Sequence, residues 1–173
     1  MLKLDLHVHM NEANDFEPLT EAVVQRLIEV VLKKGLDGIA VADHEGYDPD
    51  YPFNVRDIVE QKFDNAILII PACEREVGYN HEVELYLSDD KMFRFLAHPG
   101  DPYYPGPVPI NNVQGIEIKN AMHFANEKIA RRAAEEHNLL LLKNSDAHHF
   151  EDIGRYHNEI TLEELYVRAI PRI

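Results

Sequence analysis

The chain has 173 residues, of which 45% are hydrophobic, and a formal net charge of -14 at pH 7. This length and apolar content suit a single folded domain over residues 1–173 with a sizeable core, and they exclude wholesale disorder. The acidic balance argues against extended nucleic acid as a partner, because proteins bind it mainly through Lys and Arg. A small anionic substrate fits better, provided that bound divalent cations make the centre cationic.

Short apolar segments alternate with amphipathic segments along the chain. Strands are predicted over residues 2–6, 37–42, 66–72, 82–87, 93–97, 115–119 and 139–143. Helices are predicted over residues 18–34, 54–63 and 125–137, and a last helix begins at Thr161, where Thr161 and Glu164 fit a capping box. This alternation predicts an α/β fold with a largely parallel sheet. Seven strands in one domain favour a small or distorted (β/α) barrel over an open sheet.

Histidines and carboxylates follow the predicted strands at their carboxyl ends, where ligands gather in folds of this class. His7 and His9 end the first strand, and their spacing of two residues points both imidazoles to the same side. The other strand ends carry Asp43 and His44, then Glu74, His98, and finally Asp146 and His148. This convergence predicts a metal site with several ions. Imidazole and carboxylate ligands without a thiolate suit Zn, Mn or Fe, and the sequence leaves that choice open.

Several weaker candidates surround this set. His81 lies close to Glu74 in the sequence and could complete a second metal site. Lys119 and Lys143 end strands at the same rim, and Arg75 adjoins Glu74, so each of these three could bind a substrate anion. A salt bridge is the simpler interpretation of each. The Pro-rich segment 98–110 contains Tyr103 and Tyr104, which could form one wall of a pocket, or could merely pack on the rim.

The remaining residues of these types are interpreted as structural or solvated. They are His123, His137, His149 and His157, which fall in helices or loops. The single cysteine, Cys73, permits no internal disulfide. The first residues show no signal-peptide pattern, and the longest apolar run, residues 66–73, is too short to cross a bilayer. A soluble cytoplasmic protein without a membrane partner is therefore expected.

The ordered motifs resemble those of the PHP family, named for polymerase and histidinol phosphatase. They are His7-Val8-His9, Asp43-His44, Glu74, His81, His98-Pro99-Gly100 and Ser145-Asp146-Ala147-His148. The resemblance runs from the first strand to about Gly154. The first motif alone is weakly specific, whereas the ordered set that ends in Ser-Asp-Ala-His is strongly specific. The resemblance implies a distorted (β/α)7 barrel of the TIM-like, PHP type, with a trinuclear metal centre.

The resemblance also implies how the residues share three ions. His7, His9, Glu74 and Asp146 would hold the first ion, and Glu74 would bridge to a second ion held by His81 and His98. His44 and His148 would hold the third ion with a ligand from the loop after His9. For that ligand Asp15 is the first candidate and Glu12 the second; the family often has Gly after this Asp, where this chain has Phe16. Asn120 matches a family position that supports the site.

The implied activity is hydrolysis of a small phosphate mono- or diester by a metal-activated hydroxide. Asp43, Asp146 and His148 are the candidate catalytic residues, with either aspartate accepting or relaying a proton. Two other classes stay open at this point. One is a metal-dependent amidohydrolase acting on a C–N bond, which also uses a His-x-His pair but usually needs a longer chain. The other is a non-catalytic metal-binding module that docks to a larger assembly.

We expect the substitutions His9→Ala, Glu74→Ala and Asp146→Ala each to abolish activity and to lower the metal content, because each removes a predicted ligand of the first ion. The measurements are elemental analysis of the purified variants and their rate of phosphoester hydrolysis. His157→Ala is the control and should change neither. A ligand variant that keeps its full metal content and activity would contradict the role assigned to that residue.

Overall fold

A computed structural model describes residues 1–104, 106–108 and 110–172, and confirms an α/β fold with a nearly closed, barrel-like sheet. The strands are β1 (Leu2–Val8), β2 (Gly38–Val41), β3 (Leu68–Val77), β4 (Asn80–Leu87), β5 (Lys91–Ala97), β6 (Gly115–Asn120), β7 (Leu140–Asn144), β8 (Asn158–Ile160) and β9 (Ile170–Pro171). They follow the order β7-β6-β5-β4-β3-β2-β1-β8, and β9 pairs with β5 outside this path. The short strands β8 and β9 were not predicted from the sequence.

The described part of the chain contains five α-helices. They are α1 (Met10–Ala13), α2 (Glu21–Lys33), α3 (Tyr51–Lys62), α4 (Glu127–His137) and α5 (Leu162–Arg168), and Phe150–Asp152 forms a short 3-10 helix. The predicted cap of α5 is present, since Thr161 accepts a hydrogen bond from the Glu164 amide at 3.1 Å. None of these helices combines the length and the apolar character needed to cross a membrane. Pro105 and Pro109 of the predicted Pro-rich loop lie outside the described residues.

The sheet is less parallel than predicted, because the strand β4 runs against both of its neighbours. The pairs β1–β2, β2–β3, β5–β6 and β6–β7 are parallel, whereas β3–β4, β4–β5, β1–β8 and β5–β9 are antiparallel. The connections before and after β4 are tight turns with no room for a crossover helix, which a parallel pair requires. As a result β4 begins at the rim where the parallel strands end. This brings His81, near the start of β4, to that rim.

Apolar side chains fill the barrel below the rim and cover its outer face. The inner cluster includes Leu4, Leu6, Ala40, Val83 and Phe95. A second cluster packs α2 and α3 against the outside of β1 to β3, and a third packs α4 against β5 and β6. The rim is thereby held on a rigid base, which favours precise placement of the polar side chains above it.

A one-residue bulge in β1 sets the direction of the first two histidines. Between the register pairs Asp5–Ile39 and Val8–Val41, β1 uses three residues where β2 uses two. Leu4 and Leu6 face the inner core, and His7 also reaches it, with its ring 6.2 Å from that of Phe95. Strict alternation would place Leu6 and His7 on opposite faces. The bulge therefore turns His7 and His9 into the barrel while both leucines stay buried there.

Side-chain amides bridge the seam where β7 meets β1 and β8. Asn144 accepts a hydrogen bond from the Leu6 amide at 3.1 Å. Asn158 accepts from the Lys143 amide at 2.9 Å and donates to the Lys143 carbonyl at 3.1 Å. Asn158 thus replaces a backbone peptide at a point where the two strands do not pair directly. Nearer the rim, the His9 amide donates to the Ala147 carbonyl at 2.9 Å, which closes the barrel beside the polar cluster.

We expect Asn158→Ala to lower the free energy of unfolding by about 2–4 kcal/mol, because it leaves the Lys143 backbone groups without partners at the seam. Chemical denaturation followed by circular dichroism measures this change. Glu159→Ala is the matched control, since Glu159 is the next residue of β8 and is exposed. Equal stability of both variants and the parent protein would show that the seam does not depend on Asn158.

Candidate metal centre

The carboxylate of Glu74 lies at the centre of the rim cluster and is 2% exposed. Its Oε1 atom lies 3.3 Å from His7 Nε2, 3.2 Å from His81 Nδ1 and 3.4 Å from His98 Nε2. Its Oε2 atom lies 3.0 Å from His44 Nδ1 and 3.5 Å from His9 Nε2. One carboxylate therefore contacts five imidazoles, which lie in or shortly after the four strands β1, β2, β4 and β5. One negative charge cannot balance five protonated imidazoles. The arrangement therefore fits a carboxylate that binds cations together with neutral imidazoles better than it fits five ion pairs.

The spacing of the other ligand atoms also fits bound cations. Ligand atoms of a tetrahedral zinc site, with bonds of about 2.0–2.1 Å, lie roughly 3.3 Å apart. His9 Nε2 is 3.0 Å from Asp146 Oδ1 and 3.1 Å from His7 Nε2. Three groups in the described ranges have ligand atoms that all lie within 4.8 Å of one another. They are His7, His9 and Asp146; Glu74, His81 and His98; and His9, Glu12, His44 and His148.

Buried carboxylates give this cluster a negative potential. Burial by itself lowers the pKa of His7, yet the carboxylates of Asp146 and Glu74 raise it well above its usual value. Burial raises the pKa values of Glu74 and Asp146, and the nearby histidines, with His7 first, outweigh it and hold both below their usual range. The raised pKa of His7 reflects the negative carboxylates beside it, and the lowered pKa values of Glu74 and Asp146 reflect positive charge on the neighbouring histidines. Divalent cations would supply that charge without protonated histidines.

His9 is in the protonation state that a metal ligand needs. Burial lowers the pKa of His9 to about 4, so its imidazole is neutral near pH 7. Its Nδ1 atom is buried and has no hydrogen-bond partner among the residues that the structure describes. An unpaired buried nitrogen is costly unless something binds it. The residues present therefore fit divalent metal ions.

The short helix α1 selects the carboxylate that faces His44 and His148. Met10 and Ala13 of α1 are buried, which turns Glu12 toward the cluster. Glu12 Oε1 lies 3.5 Å from His44 Nε2, and Glu12 Oε2 lies 3.5 Å from His148 Nε2. Asp15 is exposed, has a positive φ of 53° and belongs to none of the three groups. The structure thus favours Glu12, the second candidate, over Asp15.

The candidate catalytic residues occupy different places. Asp146 and His148 belong to the clustered groups, and the His148 Nδ1–H donates to the Asp146 carbonyl at 2.9 Å, which leaves Nε2 facing Glu12. Asp43 accepts from the Asn11 amide at 2.8 Å, and its Oδ2 atom is buried without a partner in the described part of the chain. Burial raises the pKa of Asp43 to about 7. The hydrogen bond from the Asn11 amide to Asp43 connects α1 to the end of β2.

The predicted anion-binding cations have other partners in the structure. Arg75 lies 3.3 Å from Glu45 and 3.4 Å from Glu84, as the salt-bridge interpretation expects. Lys119 is exposed, and its Nζ atom lies 5.9 Å from the ring centroid of Tyr156. Lys143 is exposed and lines a surface groove with His157. None of the contacts named here involves a residue of the three ligand groups.

Glu117 of β6 is part of the site but was not singled out from the sequence. It is fully buried, and its Oε1 accepts from His7 Nδ1 at 3.1 Å and from Asn144 Nδ2 at 2.8 Å. Its Oε2 accepts from the His98 amide at 2.9 Å and from Asn120 Nδ2 at 3.0 Å. Glu117 thereby keeps the proton of His7 on Nδ1 and leaves Nε2 for a metal. A carboxylate between two isoleucines inside a predicted strand is the sequence signal that could have revealed it.

Two further residues hold the loop that carries Asp146. Asn120 donates to Asp146 Oδ2 at 2.9 Å as well as to Glu117, which gives this residue the supporting position expected from the sequence. Asp5 of β1 is fully buried and accepts from the Ser145 amide at 3.1 Å, from the Ser145 hydroxyl and from the Gly154 amide at 2.9 Å. Burial raises the pKa of Asp5 to about 6 despite these hydrogen bonds.

Comparisons with known proteins agree with this geometry. Residues 124–169 match the model of the PHP-associated family. The fold is similar to PsfC from Pseudomonas syringae PB-5123, with a TM-score of 0.67 and 17% identity over 99% of this chain and 89% of that protein. It is also similar to a protein from Bifidobacterium adolescentis provisionally named a metal-dependent phosphoesterase, with a TM-score of 0.71 and 13% identity over 96% of both chains. No curated protein matches the chain significantly.

These findings confirm the resemblance predicted from the ordered motifs. The family match covers the C-terminal part that contains Asp146 and His148, and at such low identities the two solved structures establish a shared fold. The resemblance to the PHP family is therefore supported by residues 124–169, and the nearly closed, barrel-like fold is shared with both solved structures.

We expect Glu117→Gln to weaken metal binding by about 10–100-fold. The carboxylate accepts hydrogen bonds at both oxygens, for example from His7 Nδ1, and the amide nitrogen of Gln would place a donor against one of these donors. Competition with a chromophoric chelator measures the affinity for Zn²⁺ or Mn²⁺. Glu82→Gln is the control, since Glu82 is also a buried carboxylate on the sheet but pairs with Arg94 at 3.4 Å. Equal metal affinities of the two variants would show that Glu117 does not support metal binding.

Proposed function

We propose that this protein is a metal-dependent phosphoesterase that hydrolyses a small phosphate mono- or diester at a centre of three divalent ions. The observation that carries the proposal is the contact of Glu74 with five imidazoles, flanked by the Asp146 and Glu12 groups. The resemblance to the PHP family supports metal-dependent hydrolysis, and the provisional name of the Bifidobacterium adolescentis protein belongs to the same class.

In this proposal each of the clustered groups of the rim would hold one ion, and Glu74 would be shared between groups. His7, His9 and Asp146 form the first group, and His81 and His98 join Glu74 in the second. Glu12, His44 and His148 form the third, where the rings of His44 and His148 stack against that of His9. Ions bound in this way lower the pKa of water and offset charge on phosphoryl oxygens. Zn, Mn and Fe all suit these ligands.

The substrate would reach the site from the side of the third group. The side chains of His44, His148 and Glu12 are 33%, 22% and 21% exposed, whereas those of His7 and His9 are fully buried. A phosphoryl group that enters between the exposed side chains meets ligands on two sides. The acidic surface and the narrow rim fit a small substrate better than a polymer.

The protein's own groups orient this reaction. Asp146 is engaged by His9 and Asn120, so it fixes ligand geometry and is a poor proton acceptor. Asp43 holds α1 through the Asn11 amide and so positions Glu12. The Asp146 carbonyl orients His148 in the same way that Glu117 orients His7. The nucleophile's proton would leave toward solvent along the exposed edge of the third group.

The test compares p-nitrophenyl phosphate with bis(p-nitrophenyl) phosphate in the presence of Mn²⁺ or Zn²⁺. We expect turnover that a chelator abolishes and that Asp146→Ala lowers by more than about 100-fold, since this substitution removes a ligand. The ratio of the two rates identifies the ester class. His157→Ala should retain the parent rate. A protein that holds its metal ions but cleaves neither ester would contradict the proposal, and cleavage of amides or lactones would then indicate an amidohydrolase.

A further inference from the structure

A buried aspartate holds His123 at the rim, beside the metal-ligand groups. The Asp101 side chain is 1% exposed, and its Oδ2 accepts from His123 Nδ1 at 3.0 Å. Its Oδ1 accepts from the Tyr103 amide at 2.8 Å. The His123 amide donates to Asn120 Oδ1 at 2.8 Å, so the histidine is anchored at both its backbone and its ring. Such double anchoring is typical of a positioned side chain and not of a solvated one.

The His123 ring belongs to the wall of the site. Its centroid lies 4.6 Å from that of His98 and 5.9 Å from that of Tyr104. Tyr104 in turn packs on His81, with ring centroids 4.5 Å apart. The His123 side chain is nevertheless 30% exposed, similar to His44 across the cluster, and it belongs to none of the ligand groups found among the described residues. Its free edge is therefore available to a molecule other than the metal ions.

The hydrogen bond to Asp101 determines which ring nitrogen remains free. A carboxylate only accepts hydrogen bonds, so Nδ1 of His123 carries a proton whether the imidazole is neutral or charged. Nε2 is then an acceptor in the neutral ring and a donor in the charged ring. A hydroxyl group can pair with either form, because it both donates and accepts. A purely hydrocarbon group can pair with neither.

We propose that His123, held by Asp101, binds a hydroxyl group on the alcohol part of the substrate and so selects phosphate esters of polyhydroxy alcohols. This inference rests on the proposed phosphoesterase function and specifies its substrate class. A site built to pair with a hydroxyl disfavours the analogue that lacks it, since a polar group is left unpaired. Because His123 is partly exposed, we expect the preference to be moderate, about 10–100-fold in kcat/KM.

The test uses glycerol 2-phosphate and isopropyl phosphate, which share a carbon skeleton and differ in two hydroxyl groups. We expect His123→Ala to lower kcat/KM for glycerol 2-phosphate by at least about 10-fold, mainly through KM, while isopropyl phosphate is hydrolysed at the parent rate. His123→Gln, which keeps a polar group that can pair with a hydroxyl, should recover part of the loss. Asp101→Ala should behave like His123→Ala, because it removes the group that orients the ring.

Metal content and a distant histidine serve as controls. His137→Ala, at the exposed end of α4, should leave both substrates unaffected, and every variant should retain the metal content of the parent protein. An equal loss on both substrates, or a loss of metal from His123→Ala, would overturn the hydroxyl-binding role while leaving the phosphoesterase function in place. A parent protein that retains its metals and cleaves bis(p-nitrophenyl) phosphate but neither monoester would overturn this inference alone. A parent protein that retains its metals but cleaves no phosphate ester would overturn the proposed function, and this inference with it.

Discussion

The structure depends on one buried carboxylate that five histidines surround. An ionised side chain that is 2% exposed would be costly without compensating charge, and neutral imidazoles compensate it only in part. Metal ions would remove this conflict, because Glu74 would bridge cations while the imidazoles supply neutral nitrogen ligands. The raised pKa of His7 and the lowered pKa values of Glu74 and Asp146 are consequences of the same concentration of charge.

The rest of the fold can be understood as the means of bringing these ligands to one rim. The bulge in β1 turns His7 and His9 inward, and the reversed strand β4 delivers His81 from its beginning and not from its end. The loop after β7 is held by Asp5 and by the amide-bridged seam. Glu117 and Asn120 then connect His7 and Asp146 from below. The supporting side chains Asp5, Asn144, Glu117 and Asn120 all have hydrogen-bond partners.

The two sides of the site differ in what they offer. The ligands at its floor are buried and rigid, and they suit the binding of ions that every substrate would share. The exposed edges belong to His44, His148, Glu12 and His123, which lie on loops or short elements after the strands. Loops on a rigid scaffold are where specificity usually resides, since they can change without disturbing the core. Under the proposed function, the alcohol group of the substrate would be selected at this edge.

The sequence by itself determined the α/β barrel class and the ordered set of candidate ligands. Both depend on hydrophobic periodicity and on which residues follow each strand, and these are properties of neighbouring residues in the chain. It could not decide between Glu12 and Asp15, since a single turn of helix after His9 sets which carboxylate points inward. The short connections on both sides of β4 and the position of Glu117 between two isoleucines were signals of the β4 reversal and of a buried carboxylate. No signal in the sequence indicates the role of Asn158 or the pairing of His123 with Asp101. Those features arise from contacts between residues distant in the chain, where register, bulges and burial decide which groups meet.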